Sequence, residues 1–483
     1  MCKRLHNILF FLSFLSENYY FSWKIIYMRK FVLTLIVPLM FSCSQSPKFT
    51  GAEGEVKIIT LDPGHFHAAL VQKSMYPQVN PVVHVYAPEG DELQQHLKKI
   101  ESYNTRPENP TKWDEKIYTG ADFLEKMISE KAGNVVVISG NNQKKTEYIK
   151  ACVDAGLNVL SDKPMVINSQ AFDVLKEAFA VAAKNNVLLL DIMTERNEIT
   201  TMMQREFSLI PDVFGTLEKG TPENPAVSKI SVHHYCKMVS GSPLKRPAWF
   251  YDVEQQGEGI VDVTTHLVDL VQWECFPEKI IDYTKDIEMI SAKRWTTEIT
   301  PSQFEESTKL KEYPEYLKKD LKDSVLNVYA NGEINYRING ICAKVSVEWH
   351  FKAPEGGGDT HFSTMRGSKC NLTIKQGADQ NYKPVLYLEP VEGADTVAMA
   401  TSIEAAVAKL QSAYAGLAVK KSGSVWEVVI PDSFKTVHEQ HFGQVTEKYL
   451  KYLVDGKLPE WEVPNMIAKY YVTTKALEMA KGK

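Results

Sequence analysis

Val135-Val-Val-Ile-Ser-Gly-Asn-Asn142, a helical stretch over 144–155, and then Asn158-Val-Leu-Ser-Asp162-Lys163-Pro164 decide the class of fold. Two short apolar runs without polar alternation flank an amphipathic segment, which is how strands buried on both faces and joined by a helix read. Further apolar runs stand at 56–61, 82–86 and 187–191, and a second helical pattern covers 169–185. The alternation predicts a parallel, doubly wound sheet over residues 55–192, with ligands bound beyond the carboxyl ends of its strands.

Working outward, the first strand leads into Leu61-Asp62-Pro63-Gly64-His65-Phe66-His67. A dinucleotide pyrophosphate would sit at this turn, against amides at a helix start. Of a G-x-G-x-x-G fingerprint only the central glycine, Gly64, is in place, and Asp62 adds a negative charge where an anion would lie. After the second strand, Ala87-Pro-Glu89-Gly-Asp91 offers acids where a ribose-binding carboxylate belongs. No basic residue there matches a 2′-phosphate, which favours NAD without excluding NADP.

The second half carries Gly257-Glu-Gly-Ile-Val-Asp262-Val-Thr-Thr-His266-Leu-Val-Asp269. Leu267, Leu270 and Val271 recur at a helical period, and a helix would carry Asp262 and His266 on one face. A carboxylate beside an imidazole orients the ring and favours its charged form. Runs at 228–235, 325–329, 333–338, 344–351, 371–375 and 385–388 alternate in polarity, as half-exposed antiparallel strands do. Two insertions stand out: 293–322, polar and read as helical, and 393–424, with an Ala-rich helix over 403–415. A third, 101–113, reads as a long loop.

Taken together, these motifs resemble the glucose-fructose oxidoreductase and inositol dehydrogenase family (Gfo/Idh/MocA). Its members carry an Asn-containing loop after the strand at 135–139, then Ala-Gly-x-x-Val-x-x-Glu-Lys-Pro, and later Gly-Gly-x-x-x-Asp-x-Gly-x-His-x-x-Asp. Here Asn142, Asp162 in place of the usual Glu, Lys163, Asp262, His266 and Asp269 stand at those places. Trp249 in the segment 246–252 and the stretch from His441 to Pro459 resemble further family segments. The resemblance implies an α/β Rossmann domain over 55–192, followed by an α+β substrate and oligomerisation domain with an open, mainly antiparallel sheet over 193–483. It also implies a homo-oligomer and the catalytic set Lys163, Asp262 and His266: the His takes a hydroxyl proton, the Lys bonds the reacting oxygen and the Asp positions both. Gly64, His65, Phe66, Glu89, Asn142, Asp162 and Lys163 are the expected NAD-binding residues. Lys163, His234, Trp249, Asp262, His266 and His361 are the expected substrate contacts; flat aromatics suit sugar faces, and Gly356 to Gly358 would bring His361 close to a ligand. Glu195-Arg196 and Tyr251 are further polar candidates.

The expected reaction is oxidation of a ring hydroxyl of a sugar or glycoside to a ketone. Two alternatives stay open: a redox-neutral NAD-dependent glycosidase, and a sugar-binding protein with a degenerate cofactor turn. A net charge of −5 gives no electrostatic reason for a nucleic-acid partner. Besides Cys2 and Cys43 there are Cys152, Cys236, Cys275, Cys342 and Cys370, an odd set without a CxxC pair, so neither a disulfide framework nor a metal site is expected. Met28-Arg-Lys followed by an apolar run to Ser42-Cys43 looks like a bacterial lipoprotein signal. Residues 1–43 are then a leader, with Met28 as the true start, Cys43 as the lipid-bearing residue and 44–54 as a tether. That places the protein as a membrane-anchored lipoprotein facing the periplasm or cell exterior, where free NAD is scarce and a tightly held cofactor is expected.

Overall fold

The structure, a computed structural model, describes residues 49–482 apart from 240 and 241. Met28, Cys43 and most of the expected tether lie outside the described residues.

Six parallel strands make the first sheet: β1 (Ile58–Leu61), β2 (Val82–Tyr86), β3 (Asp114–Tyr118), β4 (Val135–Ile138), β5 (Asn158–Asp162) and β6 (Leu189–Ile192), in spatial order 3-2-1-4-5-6. The crossovers run through α1 (His67–Leu70), α2 (Asp91–Thr105), α3 (Phe123–Glu130), α4 (Lys145–Asp154) and α5 (Ser169–Asn185). β1, β4, β5 and β6 are buried along their whole length, which is why apolar runs mark them. β3 is different. Its Asp-Glu-Lys-Ile-Tyr sequence lies at the sheet edge with two of five positions only half-buried and the rest exposed, so a search for apolar runs passes over it. The expected loop over 101–113 is partly helical, because α2 continues to Thr105.

After α6 (Ile199–Ser208) the chain builds a second sheet from β7 (Val227–Cys236), β8 (Ile287–Ile299), β9 (Val325–Ile338), β10 (Ile341–Lys352), β11 (Thr360–Arg366), β12 (Cys370–Lys375), β13 (Val385–Pro390), β14 (Ala418–Ser422) and β15 (Val425–Val429). The order is 8-9-10-7-11-12-13-15-14, with the short strand Leu321–Lys322 added on β9. β10 and β7 run parallel and the other neighbours antiparallel. The 293–322 stretch is not mainly helical: its first residues complete β8, and only α8 (Pro301–Thr308) is α-helix. β8 is a sheet-edge strand rich in charged and half-buried positions, so polarity alone mimics a solvated helix. The runs 325–329 and 333–338 join into one strand, β9, through Asn331 and Gly332. A Cβ on Gly332 would lie 2.5 Å from Cβ of Ile260, so this glycine serves close packing rather than a turn. In the second insertion α9 (Thr396–Leu410) forms the Ala-rich helix, and β14 follows it.

α7 (Thr264–Cys275) lays Leu267, Val268 and Val271 on the second sheet, in one core with Ile334, Tyr336 and Val345. α10 (His438–Asp455) returns to the first sheet and buries Phe442, Val445, Tyr449 and Leu450 in its core. α11 (Glu462–Ala480) serves both: Met466 and Tyr470 face the first core, Ala468, Val472 and Ala476 the second. Between the cores, Lys469 Nζ bonds Asp191 Oδ2 of β6 and Asp269 Oδ1 of α7, both at 2.8 Å. Arg196 closes the group, with two 2.7 Å bonds to Asp269 and one of 2.8 Å to Glu462. A buried ion cluster fixes geometry more than it adds stability, since each charge is costly once its partner is gone. Among the described residues no helix is long and apolar enough to cross a membrane.

Candidate active site between the two sheets

The carboxyl ends of β1, β4 and β5 open toward the second sheet, and a cavity of about 970 Å³ lies there. Its wall includes His65, Phe66 and His67 from the β1 turn, Lys163 just after β5, and Asp262 and His266 around the start of α7. Lys163 Nζ meets Asp262 Oδ1 at 2.6 Å, an ion pair of two largely buried side chains. Gln256 donates to the other oxygen, Oδ2, at 3.0 Å, so Asp262 is fixed from two sides. The Asn142 side-chain amide donates to the Gln256 carbonyl at 2.7 Å and its backbone N–H to Gln255 O at 2.9 Å, tying the β4 turn to the same segment.

The two glycines of the motif are steric necessities. Gly257 has φ +92°, and a Cβ on Gly259 would lie 1.7 Å from Ala330 O of β9. They press the turn carrying Asp262 onto the second sheet, and α7 begins only at Thr264. Asp262 therefore precedes the helix, it and His266 line the same cavity, and no hydrogen bond joins the two among the described residues. The expectation that the acid favours a charged His266 is overturned. Burial and the nearby Lys163 ammonium hold His266 well below the ordinary histidine value, which leaves a neutral ring with its Nδ1 buried and without a hydrogen-bond partner. A neutral imidazole beside a lysine–carboxylate pair can accept a proton while the cation steadies the oxyanion left behind.

The β1 turn keeps its place but not its fingerprint. A Cβ on Gly64 would make ordinary contacts of 3.5 Å with Gly140, Asn141 and Trp249, whereas one on Gly140 would fall 2.2 Å from Asp62 O. Close approach of backbone is thus demanded at Gly140, in the β4 turn. Asp62 is turned aside: Tyr148 OH donates to its Oδ2 at 3.4 Å, and burial raises its pKa. His65 and His67 direct Nδ1 at Asp162 Oδ2, at 3.5 and 3.0 Å.

The family model described as "Oxidoreductase family, NAD-binding Rossmann fold" matches residues 64–190, and the one described as "Putative oxidoreductase C terminal domain" matches 203–481, more than half of the chain. The chain belongs to the Gfo/Idh/MocA family of oxidoreductases. It shares 60% identity with a crystal structure described as a putative oxidoreductase from Parabacteroides merdae, over 90% of this chain and 99% of that one, with a TM-score of 0.89. Levoglucosan dehydrogenase in complex with NADH and levoglucosan has the same fold at 11% identity, over 88% of this chain and 97% of that one (TM-score 0.55). So does a 3-ketoreductase from Actinomadura kijaniata in complex with NADP, at 12% identity over 88% and 97% (TM-score 0.51). None of the curated proteins matches the chain.

Within this Gfo/Idh/MocA chain the other expected residues separate. His361 lines the cavity, its Nε2 is buried without a partner, and burial lowers its pKa to about 3. His234 does not line it; its neighbour on β7, His233, does, because side chains alternate along a strand. His233 Nδ1 lies 3.1 Å from Asp359 Oδ2, the ring stacks on Trp349, and Lys237 pairs with the same Asp359. Trp249 is a core residue packed against Gly64, Tyr251 is buried with it, and Glu89 is exposed at the end of β2. Asp162 sits behind the two histidines. Arg196 is sealed in the ion cluster, while its neighbour Glu195 lines the cavity 3.7 Å from His438 Nδ1, and burial pushes its carboxyl up to about 7. Gln256, Asp359 and His438 carry no sequence signal of their own. Only strand parity at His233 could have been read in advance.

Proposed function

We propose that the protein oxidises a ring hydroxyl of a sugar or glycoside to a ketone, with NAD or NADP bound between the sheets. The observation that carries this reading is the Lys163–Asp262 pair at 2.6 Å in one cavity with the unpartnered Nδ1 of His266 and the β1 turn. The residues fit the cofactor: the 3-2-1-4-5-6 sheet, a β1 turn brought against the β4 turn at Gly140, and an Asp62 carboxyl bonded away toward Tyr148. The backbone of Gly64 to Phe66 and the Lys163 side chain would hold it, and when bound it supplies the hydride acceptor. His266 takes the hydroxyl proton, Lys163 steadies the oxygen as its charge grows, and Asp262, held by Gln256, keeps the ammonium in place. By their names, one protein of like fold dehydrogenates the sugar levoglucosan and another reduces a ketone, which supports a carbohydrate substrate.

A second reading has its own observation. Glu195 faces the same cavity and holds a proton near neutrality, so it can protonate a leaving group. That suits a redox-neutral glycosidase passing through a keto sugar. Lipid anchoring through Cys43, an extracytoplasmic location and homo-oligomerisation complete the proposal and rest on the sequence resemblance. Mass spectrometry of nucleotide released from denatured protein, with product analysis on a panel of glycosides, tests it. Bound NAD(H) or NADP(H) and a keto product support the dehydrogenase, and net hydrolysis supports the glycosidase. Protein that carries no nucleotide and binds neither on addition sinks both.

A further inference from the structure

The geometry points to a divalent transition-metal site formed by His65 Nδ1, His67 Nδ1 and Asp162 Oδ2, beside the proposed catalytic lysine. One ligand atom from each of these three residues lies within 4.8 Å of the others. Two metal bonds of about 2.0–2.1 Å at a tetrahedral angle put their ligand atoms about 3.3 Å apart. The two nitrogens stand 3.5 and 3.0 Å from the shared carboxylate oxygen. The two imidazole rings meet edge to face at 4.1 Å between centroids, with the Phe66 ring packed on both.

Hydrogen bonding alone leaves this arrangement incomplete. Asp162 Oδ2 already accepts the Ser139 hydroxyl at 3.0 Å. His65 Nδ1 has one lone pair, and its contacts with the His67 backbone N–H at 3.4 Å and with Asp162 Oδ2 at 3.5 Å are both long. A cation between the rings and the carboxylate would replace these long contacts with metal–ligand bonds. No lysine or arginine side chain meets the Asp162 carboxylate among the described residues; the nearby Lys145 donates to its backbone carbonyl at 3.2 Å. On the far side of the ring, His67 Nε2 faces His438 Nε2 at 3.5 Å, the kind of outer contact that orients a metal-bound imidazole.

Two imidazoles and one carboxylate suit Zn²⁺, Fe²⁺, Co²⁺ or Mn²⁺, and leave coordination positions open. His65 and His67 line the cavity that Lys163 and His266 also line, so the open positions face a water or a ligand oxygen there. The site stands whether or not the dehydrogenase reading holds. The cysteine spacing that argues against a metal has no bearing on it, because no cysteine takes part.

The test uses the full mature chain with any affinity tag removed, stripped with a chelator and titrated with Zn²⁺ and with Co²⁺. One equivalent per chain is expected to survive gel filtration, with a visible Co²⁺ absorption band of few-coordinate N/O character. His67→Ala and Asp162→Asn are expected to weaken binding by about 100-fold or more, while His361→Ala retains it. Folded wild-type protein that holds no stoichiometric Zn²⁺ and gives no Co²⁺ band overturns the inference, as does His67→Ala binding as tightly as wild type. Should a ligand variant fail to fold, the wild-type Co²⁺ spectrum still decides.

Discussion

Asp262 and Asp269 belong to one sequence motif, yet they do different work. Asp262 lies on the cavity wall, where Lys163 and Gln256 each take one oxygen. Asp269, two turns on, is sealed between the two cores with Arg196 and Lys469. Burial alone would raise the pKa of Asp269, but the two cations hold it far below the ordinary range. One motif therefore carries a carboxylate on the cavity wall and one sealed between the cores, and a match to it locates both without telling them apart.

The sharpest way to break the chemical side is Lys163→Ala. Turnover of the carbohydrate that the wild type oxidises should fall by about 10²–10⁴-fold, with the circular dichroism spectrum unchanged. On the architectural side, Asp269→Ala leaves Arg196 and Lys469 buried without their shared anion, and denaturant titration should show a loss of about 3–5 kcal/mol. A variant as stable as wild type would refute that role. Asp262→Asn keeps the shape and removes the charge. It should cost about 10²-fold in turnover with little change in stability, and a large stability loss would place Asp262 with Asp269 instead.

Smaller effects probe the cavity by pH. Glu195, raised to about 7 by burial, is protonated below that value and loses its proton above it. Any step needing this proton slows as pH rises through about 7, and Glu195→Gln should remove that limb from the rate profile. Glu115 is a control far from the chemistry. It too sits near 7 through burial, with an Oε2 that has no hydrogen bond among the described residues and lies 3.9 Å from His96 Nε2. Between pH 4.5 and 7 the unfolded chain has released a proton that the folded chain keeps, so stability falls across that window. Glu115→Gln should therefore stabilise at pH 8 by about 1–2 kcal/mol while changing little at pH 4, read as a shift in melting temperature.

The first sheet was legible wherever strands are buried on both faces, and β3 was not, because an edge strand can be almost wholly polar. The same blindness hid β8, where polar residues at a sheet edge imitate a solvated helix. In the site, Lys163, Asp262 and His266 could be named from their motifs, and the fold gathers them from both domains around one cavity. Their relations could not be named. Whether His266 is charged depends on Lys163, which is over a hundred residues away in sequence, and on burial, neither of which spacing reports. His233, Asp359 and His438 come from a strand, a loop and the penultimate helix, and only the assembled sheets bring them to one wall. Trp249 shows the reverse error: a large aromatic near a motif reads as a sugar platform, and here it packs against Gly64.

The return of α10 and α11 to the first sheet also bears on how the chain is made. Tyr449 and Tyr470 are fully enclosed against strands translated hundreds of residues earlier. The nucleotide-binding half cannot finish packing until the ribosome has delivered the last helix, so a nascent chain stays open along that seam for nearly its whole synthesis. Folding is then gated by the arrival of α10 and α11, and a stop codon ahead of them would disable the beginning of the protein as surely as its end.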